Sequence, residues 1–411
     1  MSRSTFASLS RRSFSGGGKT LPALFVALSI AAPCFAQPAA LVTLRPVLQQ
    51  LRSEFAAHRE TLGATEAMTT VKHGVRDWVE SQLMAAPQSV DPRAFAEAMH
   101  VALRDGQFLC LEMTGDCPTN PLGYIDDVRV NRAGEFLSVV TAVGINCGYD
   151  ESAYAYTWRN GRWERFWDSE QNSYTKETYR PQQVYYVLIS PTGAGGRRLL
   201  ATLGSQSGCL GGFKDLYARA WRLDAALAPT RVLDWSAYAD DGYPPIQGRI
   251  RPDDLVVQYT TGGLADGDTH TAVRHFEVRD GVAVQTDPIA GKPHDFVLEW
   301  LSAPWEESRT RAASEALKDP YTALHLEHPY GDFAEPTRRC TAGADLWQVA
   351  TRILDGPMRY YRVRWETGFR FTMVEISDKP FQDCTVEDPR SEVDPPFLSR
   401  DLLPPPAGAA P

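Results

Sequence analysis

Apolar positions divide the chain into a helical stretch and a longer β-rich one. Val71, Val75, Trp78, Val79 and Leu83 recur at three- and four-residue intervals, which puts them on one helical face with Lys72, Arg76 and Glu80 turned elsewhere. Asp91-Pro92 reads as a cap followed by proline at the first helical position, opening a helix that ends near Gly106. An earlier helix is predicted from Leu44 to His58. Together the three make a small bundle or a cap on the β-rich stretch. His58, His73 and His100 fall on them as surface or packing residues.

From Cys110 the period changes. Short β-branched and aromatic runs, Phe136–Val143, Tyr154–Trp158, Arg162–Trp167, Val184–Ile189, Arg198–Leu203 and Tyr217–Leu223, alternate with clusters of Gly, Pro, Asn and Asp. That pattern predicts antiparallel strands and hairpins. Helical signals nearly vanish until Glu306–Lys318, which reads as a charged surface helix, and Ala344–Leu354 reads as a short helix or a strand.

The β-rich stretch repeats itself. Tyr154-Ala155-Tyr156-Thr157-Trp158-Arg159 returns as Tyr217-Ala218-Arg219-Ala220-Trp221-Arg222. Asn160-Gly161 closes the first copy with the dipeptide that best suits a type I′ turn, because both central residues need positive φ. Asp280-Gly281 stands at the corresponding place in a third unit, and Tyr361, Trp365 and Gly368 copy the spacing in a fourth. A second marker is a basic residue and proline before an apolar run: Arg180-Pro181, Arg251-Pro252 and Lys292-Pro293. Proline fixes φ and lacks a donor, so each is read as the start of a buried strand.

These repeats predict a mainly β fold of repeated antiparallel units, β-propeller-like, with a β-sandwich as the alternative, preceded by an N-terminal α-helical segment. The organisation expected is a signal peptide at 1–36, a helical segment at 37–109, repeated β units at 110–305, a mixed C-terminal segment with a further β unit at 306–388, and a disordered Pro-rich tail at 389–411.

Composition adds location. Arg11, Arg12 and Lys19 precede the apolar run Leu21–Phe35, which ends at small residues before Gln37, the plan of a secretory signal. Ser10-Arg11-Arg12-Ser13-Phe14 resembles the twin-arginine export signal, with Ser15 and Gly16 departing from its last two positions. Either route, twin-arginine or general secretory, implies a protein exported to the bacterial periplasm or beyond, without a permanent membrane anchor. The signal holds four basic and no acidic residues, so its removal takes the formal charge from −9 to −13. Such an acidic chain without a basic block excludes nucleic acid as a natural partner. Six cysteines remain, Cys110, Cys117, Cys147, Cys209, Cys340 and Cys384, an even set that reads as disulfides in an exported chain. The expected pairs are Cys110–Cys117, Cys147–Cys209 and Cys340–Cys384.

Chemistry is less legible. No nucleophile elbow, zinc-protease helix, phosphate loop or dinucleotide fingerprint occurs in the mature chain. Asp266, Asp268 and His270 form the candidate site for calcium or another metal, because two carboxylates around a glycine can face one hard cation. His270, His275 and His294 are the histidines of one repeat and could gather. His325 and His328 suit zinc poorly, since Pro329 turns His328 away from helix. The acidic pairs Asp126-Asp127, Asp240-Asp241 and Asp253-Asp254 are read as solvated loops. Trp158, Trp163 and Trp167 form a candidate aromatic binding surface, although one strand face must fill the core.

The functional expectation is an exported binding module for a protein or glycan partner. The alternative is an exported hydrolase with its residues scattered over loops. Non-reducing peptide mapping of the exported chain is expected to find no free thiol; free Cys147 and Cys209 would overturn the bridge between repeats.

Overall fold

Antiparallel hairpins recur in each of four sheets and set the architecture. The structure is a computed structural model, and residues 39–57, 66–109, 123–145, 148–170, 181–207, 214–239, 246–261, 270–326, 332–352 and 357–387 are described. Four helices come first: α1 (Ala39–Val42), α2 (Arg45–Ala57), α3 (Glu66–Ala85) and α4 (Pro92–Asp105). The first sheet is β1 (Ile125–Ala133), β2 (Phe136–Ile145), β3 (Gly148–Arg159) and β4 (Arg162–Asp168); the second is β5 (Gln182–Ile189), β6 (Arg198–Ser207), β7 (Lys214–Leu223) and β8 (Pro229–Ala239). The third is β9 (Ile246–Arg251), β10 (Asp254–Thr261), β11 (His270–Arg279) and β12 (Val282–Thr286).

Helices α5 (Pro293–Ser302), α6 (Trp305–Ser308) and α7 (Lys318–Leu326) then intervene. The fourth sheet is β13 (Asp332–Cys340), β14 (Leu346–Arg352), β15 (Met358–Glu366), β16 (Arg370–Ser377) and β17 (Cys384–Glu387), with β17 added beside β13. Each sheet is an antiparallel meander in chain order, apart from the added β17, so the fold is mainly β and propeller-like. The sheets do not close into a ring.

The repeated motif occupies one structural position. Tyr154, Tyr217 and Tyr361 lie on the third strand of their sheets, and the Asp280-Gly281 turn joins the third strand of its sheet to the fourth. Asn160 and Gly161 take φ of 51° and 77°, and Asp280 and Gly281 take 51° and 82°, as a type I′ turn demands. Across the first turn, Trp158 pairs with Trp163 and their rings meet edge to face at 5.4 Å. Tyr154, Tyr156, Tyr217 and Tyr361 are all buried, so the repeat is chiefly core.

The basic-proline marker is not a structural repeat. Pro181 precedes β5, the first strand of its sheet, whereas Pro252 sits in the tight turn between β9 and β10. Lys292-Pro293 opens helix α5 rather than a strand. Proline at the first helical position loses no hydrogen bond, and Asp295 in the first turn suits the positive end of the helix dipole. Because α5 is buried from Phe296 to Leu301, its apolar run shows no face and reads equally well as a buried strand. Glu306–Lys318 is likewise not one helix. It breaks into α6, short 3-10 turns at Arg309–Arg311 and Glu315–Leu317, and the start of α7.

Helix α3 corrects a second expectation. Val71, Val75, Trp78, Val79 and Leu83 are buried as predicted, but Lys72 is buried too, 2.5 Å from the buried Asp150 of β3. Arg76 and His73 reach Glu170, and Glu80 pairs with Arg165 of β4. The polar face of α3 thus docks on the first sheet through complementary charges.

Cys340 and Cys384 form a disulfide that ties β17 to β13 and closes a span of 44 residues, worth about 4 kcal/mol in the chain-entropy view. Cys110, Cys117, Cys147 and Cys209 lie outside the described residues, as do 1–36 and the tail 389–411. No described helix is long and apolar enough to cross a membrane.

Nothing lies within 4 Å of a Cβ built on Gly161, so substitution there meets backbone strain alone. Gly161→Val is expected to lower unfolding free energy by about 1–2 kcal/mol in a denaturant titration. Unchanged stability would show that the turn does not need its left-handed residue.

Candidate functional site

A cleft of about 300 Å³ opens where α5 and α6 meet the third sheet and β8 of the second. Its floor is set by strand register. Thr261 pairs with His270, Tyr259 with Ala272, Val257 with Arg274, and Gln285 of β12 with Phe276. Directly opposed residues share a sheet face, and residues two or four apart along a strand stay on it. Tyr259, Thr261, His270, Arg274 and Gln285 therefore present together. Trp235 of β8 forms a wall, its ring 5.3 Å from Tyr259 and 6.0 Å from Phe276.

The helices supply the roof. Glu299 and Ser302 of α5, Ala303, and Glu307 of α6 line the cleft. Reciprocal bonds fix the angle between α5 and α6: the Trp300 indole N–H donates to the Ser308 carbonyl at 2.8 Å, and the Ser308 hydroxyl donates to the Trp300 carbonyl at 2.6 Å. The Tyr321 hydroxyl holds the Ala303 carbonyl at 2.5 Å. On the far side of the cleft, the Gln285 amide donates to Glu307 at 3.1 Å.

Glu299 is the charged centre. Its Oε1 accepts from His270 Nε2 at 2.8 Å, and its Oε2 accepts from Arg274. Burial alone would raise its pKa, but the Arg274 guanidinium and the His270 bond outweigh that and hold it below the usual carboxylate range. Arg274 also donates to the Val273 carbonyl at 3.0 Å and lies over the Tyr259 ring at 5.5 Å. Burial pushes the Tyr259 phenol well above its ordinary pKa, so it stays protonated.

His270 is 5% exposed, and its buried Nδ1 has no hydrogen-bond partner among the described residues. An ionised carboxylate can only accept, so Nε2 donates to Glu299. The cleft offers a ligand the exposed Glu307 carboxylate as an acceptor, beside two aromatic rings. Chemically, it suits hydroxyl-bearing ligands.

Of the metal triad expected from the sequence, only His270 is described; Asp266 and Asp268 lie outside the described residues. Among the described residues two other clusters have metal-like spacing, and neither fits a cation. In the first, Asp254, His275 and Glu277, the His275 ring is spent on both sides. Its Nε2 meets Asp254 at 2.9 Å and its Nδ1 meets the Asp287 carbonyl at 2.7 Å. In the second, Cys340, Asp383 and Cys384, the thiols form the disulfide.

The three histidines do not gather. His270 and His275 are an odd number of residues apart on β11 and face opposite sides, while His294 pairs with Asp295 at the start of α5. His325 gives its Nδ1 to the Leu301 carbonyl at 2.7 Å and stacks on Tyr321; His328 is outside the described residues. His100 meets Asp127 of β1 at 2.9 Å, which ties α4 to the first sheet.

The aromatic trio separates. Trp163 and Trp167 are each 4% exposed: the first donates to the Pro87 carbonyl, and the second meets Trp221 of β7 at 4.8 Å. Trp158 alone is half-buried, lining a second cleft of about 400 Å³ with Arg159, Arg198 and Glu135.

Trp235, Tyr259, Arg274, Glu299 and Glu307 escaped the sequence reading. The one local signal was the even spacing of His270 and Arg274 on a strand. Glu299 comes from a helix that the chain pattern disguises.

No family model and no curated protein matches the chain. Among solved structures it is similar to a thermostable family-43 glycoside hydrolase, at 9% identity over 65% of this chain and 80% of that one, with a TM-score of 0.24. It is also similar to a protein described as a glycoside hydrolase, at 10% identity over 66% and 91% of the two chains, with a TM-score of 0.21. Overlap of this extent carries no weight for fold or activity, which rest on the chain's own sheets and side chains.

His275 yields a pH prediction. Burial alone would depress its pKa, but its bonds to Asp254 and the Asp287 carbonyl outweigh burial and raise it. A raised folded-state pKa contributes stability that is full below the unfolded value near ~6.5 and lost as pH rises through the folded value. Denaturant titrations should show the stability gap between the native chain and His275→Gln shrinking as pH rises across that window. A gap that grows with pH would contradict the doubly bonded imidazolium.

Proposed function

We propose that this chain is an exported protein that binds a glycan in the cleft between β8, β10, β11 and α5. Export is proposed on the basic start and apolar run within residues 1–36. The glycan reading is carried by one observation: the exposed Glu307 carboxylate and the Gln285 amide stand in a cleft that also offers the Trp235 and Tyr259 rings. Sugars present hydroxyl donors on one edge and apolar C–H faces on another, so such a cleft serves both. The buried Glu299–Arg274 pair holds the floor rigid, which limits the ordering cost of binding.

One observation favours hydrolysis as a second reading. Glu299 and Glu307 both line the cleft, one fixed as an anion and the other exposed, and glycoside cleavage uses two carboxyl groups. Release of reducing ends from a bound oligosaccharide, abolished by Glu307→Gln, would establish it.

Calorimetric titration of the exported protein with neutral oligosaccharides tests the binding reading. Trp235→Ala is expected to weaken binding by roughly 3- to 10-fold, the worth of one aromatic face. Gln285→Ala, which removes a cleft-lining amide outside the aromatic core, should weaken it as well. Binding that both variants leave unchanged would move the glycan elsewhere, and capture of a protein at this face instead would replace the glycan.

A further inference from the structure

We infer that the His270 cleft selects sugars by charge: it favours amino sugars over acidic ones, and Glu307 is the selecting residue. This rests on the glycan reading above and names the class of glycan.

Charge bookkeeping in the cleft supports it. Two of the three charged side chains that line it cancel, because Arg274 and Glu299 are bound to each other. Arg274 also donates through Nη1 to the Val273 and Ile289 carbonyls. Glu307 remains, an exposed carboxylate whose partner is the neutral Gln285 amide. Burial works against the charge of Arg274, but Glu299 and Tyr259, with a smaller share from Glu307, raise its pKa.

A ligand thus meets acceptors and one net negative charge. A uronate would bring its own carboxylate against Glu307 and find no uncommitted cation. A sugar ammonium supplies what Glu307 lacks. Like-charge contact in a partly desolvated cleft costs far more than the same contact in open water. The chain's formal charge of −9 acts in the same direction at longer range.

Titrating the full exported chain with three probes of equal length tests this: a deacetylated glucosamine tetramer, cellotetraose and tetragalacturonate, at slightly acidic pH and low salt. The glucosamine tetramer is expected to bind at least about tenfold tighter than tetragalacturonate, with the gap narrowing as salt screens it. Glu307→Gln should bring the glucosamine and cellotetraose affinities to within about twofold of each other. Tetragalacturonate binding as tightly as the glucosamine tetramer would overturn the selectivity while leaving the glycan reading intact. If none of the three binds, the glycan reading falls and the selectivity with it.

Discussion

The buried carboxylate of Glu299 is the constraint on which the cleft depends. A charge on a helix packed between two sheets is tolerable only where opposite charge and donors meet it, and loss of one partner of such a pair costs about 3–5 kcal/mol. Arg274 and His270, four residues apart on β11, satisfy both oxygens. That pairing sets the rotation of α5 over the third sheet and fixes a His270 proton on Nε2.

Charge plays a comparable part at the other end of the chain's helical segment. Lys72, Arg76 and Glu80, spaced four apart on α3, each meet an opposite charge on or beside the first sheet. The apolar side of the same helix packs within its own bundle, so α3 is buried on two sides by two kinds of force. Glu151, held by Arg129 and the Val184 amide, joins β3 to β5 in the same manner. Its pKa is raised, because burial outweighs the guanidinium beside it. Sheets built mainly from aromatic and aliphatic packing are thus placed relative to their neighbours by buried ionic contacts.

Much of the fold was legible because hairpins are local. Asn160-Gly161 and Asp280-Gly281 specify their turns within two residues, and the Tyr-to-Gly spacing carried that reading correctly to Tyr361 and Gly368. Legibility failed where burial is uniform. Helix α5 has no polar face to betray its period, and Lys72 looked solvated because only a residue some eighty positions away neutralises it. The site was nearly invisible for a related reason. Its parts come from β8, β10, β11, β12, α5 and α6, and no two of them form a motif; His270 stood out in the sequence, but as a metal ligand. Of the tryptophans, Trp235 lines the cleft without belonging to the aromatic hairpin that drew notice.

The central claim is that the anionic Glu299 holds His270 through a hydrogen bond from Nε2. Long-range proton–nitrogen correlation spectra of the histidine side chains measure this directly. The account predicts a protonated Nε2 for His270. An unprotonated Nε2 would contradict it.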